Sequence, residues 1–190
     1  VCVNPLFARA AKRFLGGSGV KTASVVGFPL GASTAAAKAF ETRRAVEDGA
    51  DEIDTVISLA AAKEHRYGDI AAETAAVVEA AGKDVPVKVI LEMCELTEEE
   101  KPAVCRAALE GGAAFLKTST GFGRGGARAE DVRLMAAICR EYGGERLPLV
   151  KAAGGIRTRE EALQMIAAGA SRIGTSAGIV ICAPQPETRR

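Results

Sequence analysis

Short runs rich in Val, Ile and Leu recur at 1–4, 21–28, 52–58, 85–92, 113–119, 147–153 and 172–176, each with the length and composition of a strand. Between most of them lie Ala, Glu, Arg and Leu-rich stretches at 33–48, 70–81, 97–110, 128–142 and 159–168, whose composition favours helix. The order is strand, helix, strand throughout. That alternation predicts parallel strands joined by right-handed helical crossovers, because parallel neighbours need a long connection. Punctuation supports the helix ends: Gly49, the Gly111-Gly112 pair and Gly169 each fall just before the next strand, as left-handed C-cap residues do. Thr97 with Glu100 reads as a capping box, and Pro102 sits near that helix start, where a missing N–H costs little.

A doubly wound sheet and a (β/α)8 barrel both satisfy this order. The polar positions separate them. Asp54, Lys88, Lys117 and Lys151 all fall inside strand-like runs, whereas a doubly wound sheet keeps its strand interiors apolar and places a GxGxxG after its first strand, which is absent here. A barrel has an enclosed centre where charges from several strands converge at the C-terminal mouth. The fold expected is therefore an α/β parallel (β/α)8 TIM barrel, in one domain over 1–190. The seven visible strands, beginning abruptly at Val1-Cys2-Val3, suggest that the first βα unit is missing and the domain is N-terminally incomplete. The prolines of the tail GIVICAPQPETRR should end the last helix early.

Composition narrows the partners. With 190 residues and 48% hydrophobic content, the chain can bury one substantial core. Lys plus Arg number 25 against Asp plus Glu 24, so no net field favours nucleic acid or an anionic membrane. The expected partner is a small molecule. Five widely spaced cysteines without a CxxC pair argue against a disulfide framework or zinc site and fit a cytoplasmic location. Neither an apolar run of spanning length nor a secretory signal is visible in these residues.

With a period of two, Phe115, Lys117 and Ser119 share one strand face, as do Leu149, Lys151 and Ala153, and Asp54, Val56 and Ser58. Two lysines and an aspartate can thus point inward together. Burying two ammonium groups side by side is costly unless a carboxylate compensates or one proton is lost. A neighbouring cation that lowers a lysine pKa exposes the free amine that attacks a carbonyl, and Asp54 could then shuttle protons. Lys88 has the alternatives of snorkelling or pairing with Glu92. Spacing does not say which of Lys117 and Lys151 is the nucleophile. The turns Ala153-Gly154-Gly155-Ile156 and 172–178, with Ser176, would place backbone N–H groups at helix starts, suited to a phosphate.

VCVNP (1–5), VVGFPLG (25–31), DEIDTVI (51–57), KVILE (88–92), FLKTSTGFG (115–123), VKAAGGIR (150–157) and GASRIGTSAG (169–178) resemble, in order and over nearly the whole chain, the signature blocks of the deoxyribose-phosphate aldolase family. The resemblance implies a metal-free, cofactor-free class I aldolase that reversibly cleaves 2-deoxy-D-ribose 5-phosphate to acetaldehyde and D-glyceraldehyde 3-phosphate. It assigns the imine to Lys117, the activating cation to Lys151, acid/base work to Asp54, and phosphate binding to Gly154, Gly155 and Ser176, with Thr120 a further candidate. It also implies a homodimer or homotetramer, and one more βα unit ahead of VCVNP. Ser58, Ala60 and Met93 depart from the family's usual Asn, Gly and Thr. From the residues alone, a Schiff-base aldolase for another sugar phosphate and a non-catalytic phosphate-binding barrel stay open. Cys2 is expected to be a buried, inert thiol, and His65, in a polar loop, to be solvated.

Overall fold

The computed structural model describes residues 1–144 and 147–184. Seven strands, β1 (Cys2–Val3), β2 (Ala23–Val26), β3 (Glu52–Val56), β4 (Val87–Ile90), β5 (Phe115–Lys117), β6 (Leu149–Ala153) and β7 (Arg172–Gly174), form one parallel sheet in sequential order. Helices follow the strands: α1 (Ala8–Phe14), α2 (Ala35–Glu47), α3 (Leu59–Lys63), α4 (Tyr67–Ala81), α5 (Glu100–Glu110), α6 (Ala129–Tyr142), α7 (Arg159–Ala167) and α8 (Gly178–Cys182). The sheet curls on itself, so Arg172 of β7 reaches Glu52 of β3, and residues of β1 and β7 line one cavity. β1 and β7 are its unpaired edges among the described residues. Seven strands of the expected barrel are thus present in their expected order.

Alternation along the strands decides what each face holds. Ile53, Val87, Val89, Leu91, Leu116, Val150 and Ala152 point outward into one apolar layer with Ile70, Val77, Val104, Leu109, Val132, Met135 and Met165 of the helices. The residues between them, Glu52, Asp54, Lys88, Lys117 and Lys151, turn inward and are also buried. Parallel strands buried on both faces are usually apolar throughout. Here the inner face is ionic, so its burial has to be offset by pairing.

The helix boundaries follow their caps. Thr34 accepts from Ala37 N on α2, Ser58 accepts from Ala61 N on α3, and Thr158 with Glu161 closes a reciprocal box on α7. The Thr97–Glu100 box forms as read, with bonds of 2.7 and 3.3 Å. Gly49, Gly112 and Gly169 have positive φ, but Gly111 is right-handed; its value is space, since a Cβ there would meet Thr74 at 2.5 Å. Helix α8 stops at Cys182, two residues before Pro184; tail residues 185–190 lie outside the described residues. The short helices α1 and α3 were not legible as separate elements.

Candidate active site

Strand register sets the height of each charged side chain. Asp54 lies opposite Lys88 across β3 and β4, and Lys117 opposite Lys151 across β5 and β6. Curling then brings them together. Asp54 is fully buried, and its Oδ2 accepts from both Lys117 Nζ and Lys151 Nζ at 2.7 Å. Its Oδ1 accepts from Lys88 Nζ at 2.8 Å. One carboxylate therefore meets three amines. The expected inward meeting of Lys117, Lys151 and Asp54 is what the geometry contains.

Lys88 corrects the sequence reading. It neither snorkels nor pairs with Glu92; it is fully enclosed between Asp54 and Glu52, whose Oε2 lies 2.7 Å from Nζ. The physical reason is the inward face of β4, where solvent is out of reach and a second carboxylate is available.

Electrostatics follow from this crowding. Burial by itself would raise the Asp54 pKa, but Lys117, Lys88 and Lys151 overcome that cost and hold the carboxyl far below the usual range. The carboxylate form of Asp54 is thereby favoured. Burial first, and then the Lys151 charge, push the Lys117 pKa down, against the pull of Asp54. Lys117 is thus biased towards the free amine that adds to carbonyls.

A cleft of about 780 Å³ opens over the cluster, lined by Lys117 and Lys151 together with Gly154, Gly155, Thr120 and Ser176. Asp54 lies beneath it rather than on its wall. The glycine pair has φ of +91° and +77°, a conformation that glycine adopts without strain. The expected use of helix starts changes in one respect: the first turn of α7 is satisfied by its own residues, with Glu161 Oε2 taking Arg157 N and Thr158 N. The turn itself, rather than the α7 N-terminus, faces the cleft. Arg157 also lines the cleft and adds a cation near the glycine pair; its place two residues after Gly155 was the available signal.

Thr120 lines the cleft with its donors already engaged. Its N–H and hydroxyl both donate to Glu92, with N–O distances of 3.2 and 3.3 Å. A carboxylate already on these donors repels a second anion. Thr120 instead fixes the loop after β5, and Glu92 adopts left-handed φ and ψ of 50° and 60° to reach it. Phe122 of that loop packs edge-on against Phe28, 5.4 Å between centroids, and both line the cleft. This apolar wall had no sequence pattern to announce it.

Cys2 is a second correction. It is exposed on the cleft wall with Sγ 3.8 Å from Asp54 Oδ2, because β1 is an edge strand. Desolvation by surrounding atoms and then the Asp54 charge raise its pKa, so its thiolate is disfavoured. His65 is exposed and bonds Tyr67 Oη at 2.7 Å, as a solvated role requires. Ser58 and Ala60 belong to the start of α3, and Met93 is buried in the outer apolar layer; none lines the cleft.

A family model described as DeoC/LacD family aldolase matches residues 1–183. The chain belongs to this family. It is 53% identical over 190 residues to a deoxyribose-phosphate aldolase of Thermococcus kodakarensis, covering 98% of this chain and 83% of the relative. A Streptococcus pneumoniae protein of the same name is 54% identical over 181 residues, covering 95% and 80%. The structure of a tetrameric deoxyribose phosphate aldolase from Aeropyrum pernix superposes with a TM-score of 0.84 at 31% identity, over 95% of this chain and 74% of that one. The DeoC/LacD membership and this likeness place the curled sheet among TIM-barrel-type aldolases.

Proposed function

We propose that this chain acts as a class I aldolase on 2-deoxy-D-ribose 5-phosphate, forming acetaldehyde and D-glyceraldehyde 3-phosphate through an imine on Lys117. The observation that carries the reading is one ionised carboxylate shared by three buried lysines, two of which line an open cleft. The names of the relatives support the substrate.

The free amine of Lys117 adds to the open-chain aldehyde, and the carbinolamine hydroxyl leaves as water on taking a proton from the Lys151 ammonium, which leaves the protonated imine. Loss of the C3 hydroxyl proton turns C3 into the glyceraldehyde carbonyl, while the C2–C3 bonding pair moves to the imine and forms an enamine. Protonation of the enamine carbon and hydrolysis then release acetaldehyde and regenerate Lys117. Asp54 is favoured as the carboxylate by the neighbouring amines and accepts from both cleft lysines on one oxygen. Its role is to orient Lys117 and Lys151, and the Lys151 ammonium on the same Oδ2 is the proton carrier. Gly154, Gly155 and Ser176 hold the phosphate, joined by Arg157. Thr120 steadies the cleft wall.

Assembly into a homodimer or homotetramer is part of the proposal, supported by exposed apolar side chains such as Leu6, Phe14 and Phe40. A cytoplasmic location is supported by five unpaired cysteines. Among the described residues no helix is long and apolar enough to cross a membrane, and no group of metal-ligating side chains occurs.

Incubation with acetaldehyde and borohydride, followed by peptide mapping, tests the imine. Lys117 should carry the reduced adduct; an unmodified Lys117 in folded protein overturns the reading. Product analysis of acetaldehyde with D-glyceraldehyde 3-phosphate should show 2-deoxyribose 5-phosphate, and failure there with an adduct at Lys117 would point to another phosphorylated acceptor.

A further inference from the structure

The lysine cluster does not end at Asp54. Lys88, on the far side of that carboxylate, is held equally by Glu52, and Glu52 Oε2 also contacts the Arg172 guanidinium at 2.5 Å. The result is a continuous chain of alternating charge: Arg172 of β7, Glu52 of β3, Lys88 of β4, Asp54 of β3, then Lys117 and Lys151. Phe115 seats it from the side, with Arg172 at 5.1 Å and Lys88 at 5.9 Å from the ring centroid. Glu52 is nearly enclosed, whereas the Arg172 side chain is 41% exposed. Neither residue lines the large cleft over Lys117, so neither is placed to touch what binds there.

We propose that Glu52 and Arg172 form a second charge layer that, acting through Lys88 and Asp54, fixes how much positive charge surrounds the Lys117 amine. The inference rests on Lys117 being the imine-forming residue. Without Glu52 the interior would hold three amines against one carboxylate; with it the count is three against two, and Arg172 partly offsets Glu52 in turn. Glu52 also supplies Lys88 with a partner of its own, so Asp54 is free to keep its other oxygen on Lys117 and Lys151. Burial alone would raise the Glu52 pKa, and Lys88 and Arg172 together reverse this, so the carboxylate is charged when it acts. The other charged or titratable groups facing this pair are Lys21, ahead of β2, the Val1 amino group, which donates to Lys21 O, and Lys151, which line the same opening at the sheet edges with Cys2. Those facing Lys117 are Asp54, Lys151 and Cys2. Glu52 and Arg172 are thus positioning residues, not catalytic ones.

Two substitutions of opposite sign provide the test. E52Q removes a negative charge, so the cation of Lys117 becomes harder to keep and the free amine persists to lower pH. R172Q leaves Glu52 less compensated and has the reverse effect. The readout is the pH dependence of Lys117 labelling by acetaldehyde and cyanoborohydride, followed by peptide mass in the full-length protein. The midpoint should move to lower pH in E52Q by about one unit, the shift expected for a unit charge removed three ion-pair contacts away, roughly 10 Å, at an effective dielectric of about 20. In R172Q it should move to higher pH by less, because water screens the exposed guanidinium. General damage to the fold would lower labelling in both variants without opposite displacements of the midpoint. If wild-type Lys117 takes no label, the imine reading itself has failed. If it labels and both variants titrate with the wild-type midpoint, or both move the same way, the second-layer inference is overturned and the imine reading stands. Should E52Q not fold, the R172Q displacement alone decides.

Discussion

Two buried lysines in this molecule face similar costs and come to different ends. Lys38 of α2 is fully enclosed; its Nζ donates to Val56 O at 2.7 Å and pairs with Glu73 at 2.8 Å. Burial, opposed by Glu73, lowers its pKa, as burial lowers that of Lys117. What differs is the partner. Glu73 meets Lys38 with one oxygen and takes Ser58 N with the other, so the pair ties α2 and α4 to the end of β3. Asp54 is shared among three amines, and Lys117 also lies on an open cleft. Desolvation of a lysine is therefore common to both regions, while a contested anion and a route for the carbonyl belong to one.

The sharpest break between the regions is chemical. K117M should abolish turnover, lowering kcat by about a thousandfold or more, while the melting temperature stays level or rises because a crowded cation has been removed; a large loss of stability would contradict the account of the cluster. K38M should do the reverse: removing one partner of a buried pair costs about 3–5 kcal/mol, seen in denaturant unfolding, with the pH profile of the surviving activity unmoved. Adding E73Q to K38M should recover part of that loss, since the stranded charge is then gone.

Next in size is K151L, which should reduce the rate and move the acid limb of the activity profile to higher pH by about one unit, since the cation that helps depress Lys117 is absent. The sign matters: an acidward shift would mean that Lys151 acts by holding Asp54 rather than by charge on Lys117. Smallest is S176A, expected to raise KM about fivefold for the phosphorylated aldehyde and leave kcat nearly unchanged, as loss of one hydrogen bond of about 1 kcal/mol would. Equal effects on an unphosphorylated acceptor would remove Ser176 from the phosphate site.

The strands, the five long helices and the meeting of Lys117, Lys151 and Asp54 could be read from period and spacing, because each depends on local pattern. The same period-two rule places Glu52 on the inward face with Asp54, yet its partner Arg172 is 120 residues away, and only the curl of the sheet relates them. Lys88 was visible as a polar strand residue, but Glu92 and Glu52 are both reachable in sequence terms, and the register with Asp54 decides between them. Thr120 fell beside the site by position, while its donors turned to Glu92 because a left-handed residue aims that carboxylate at the next loop. Cys2 looked like core by composition, and an edge strand exposed it. Lys38 sits in an ordinary helical stretch, where nothing announces burial.

The three amines on Asp54 come from 34, 63 and 97 residues further along the chain. As the polypeptide is made, the carboxylate waits for β4, then β5, and Lys151 arrives when β6 docks. Chemistry is consequently the last thing this fold acquires: local helices form early, and long-range pairing is slow. On dilution from denaturant, the far-ultraviolet signal should recover before Lys117 can be trapped, with the interval between the two marking closure of the second half of the sheet.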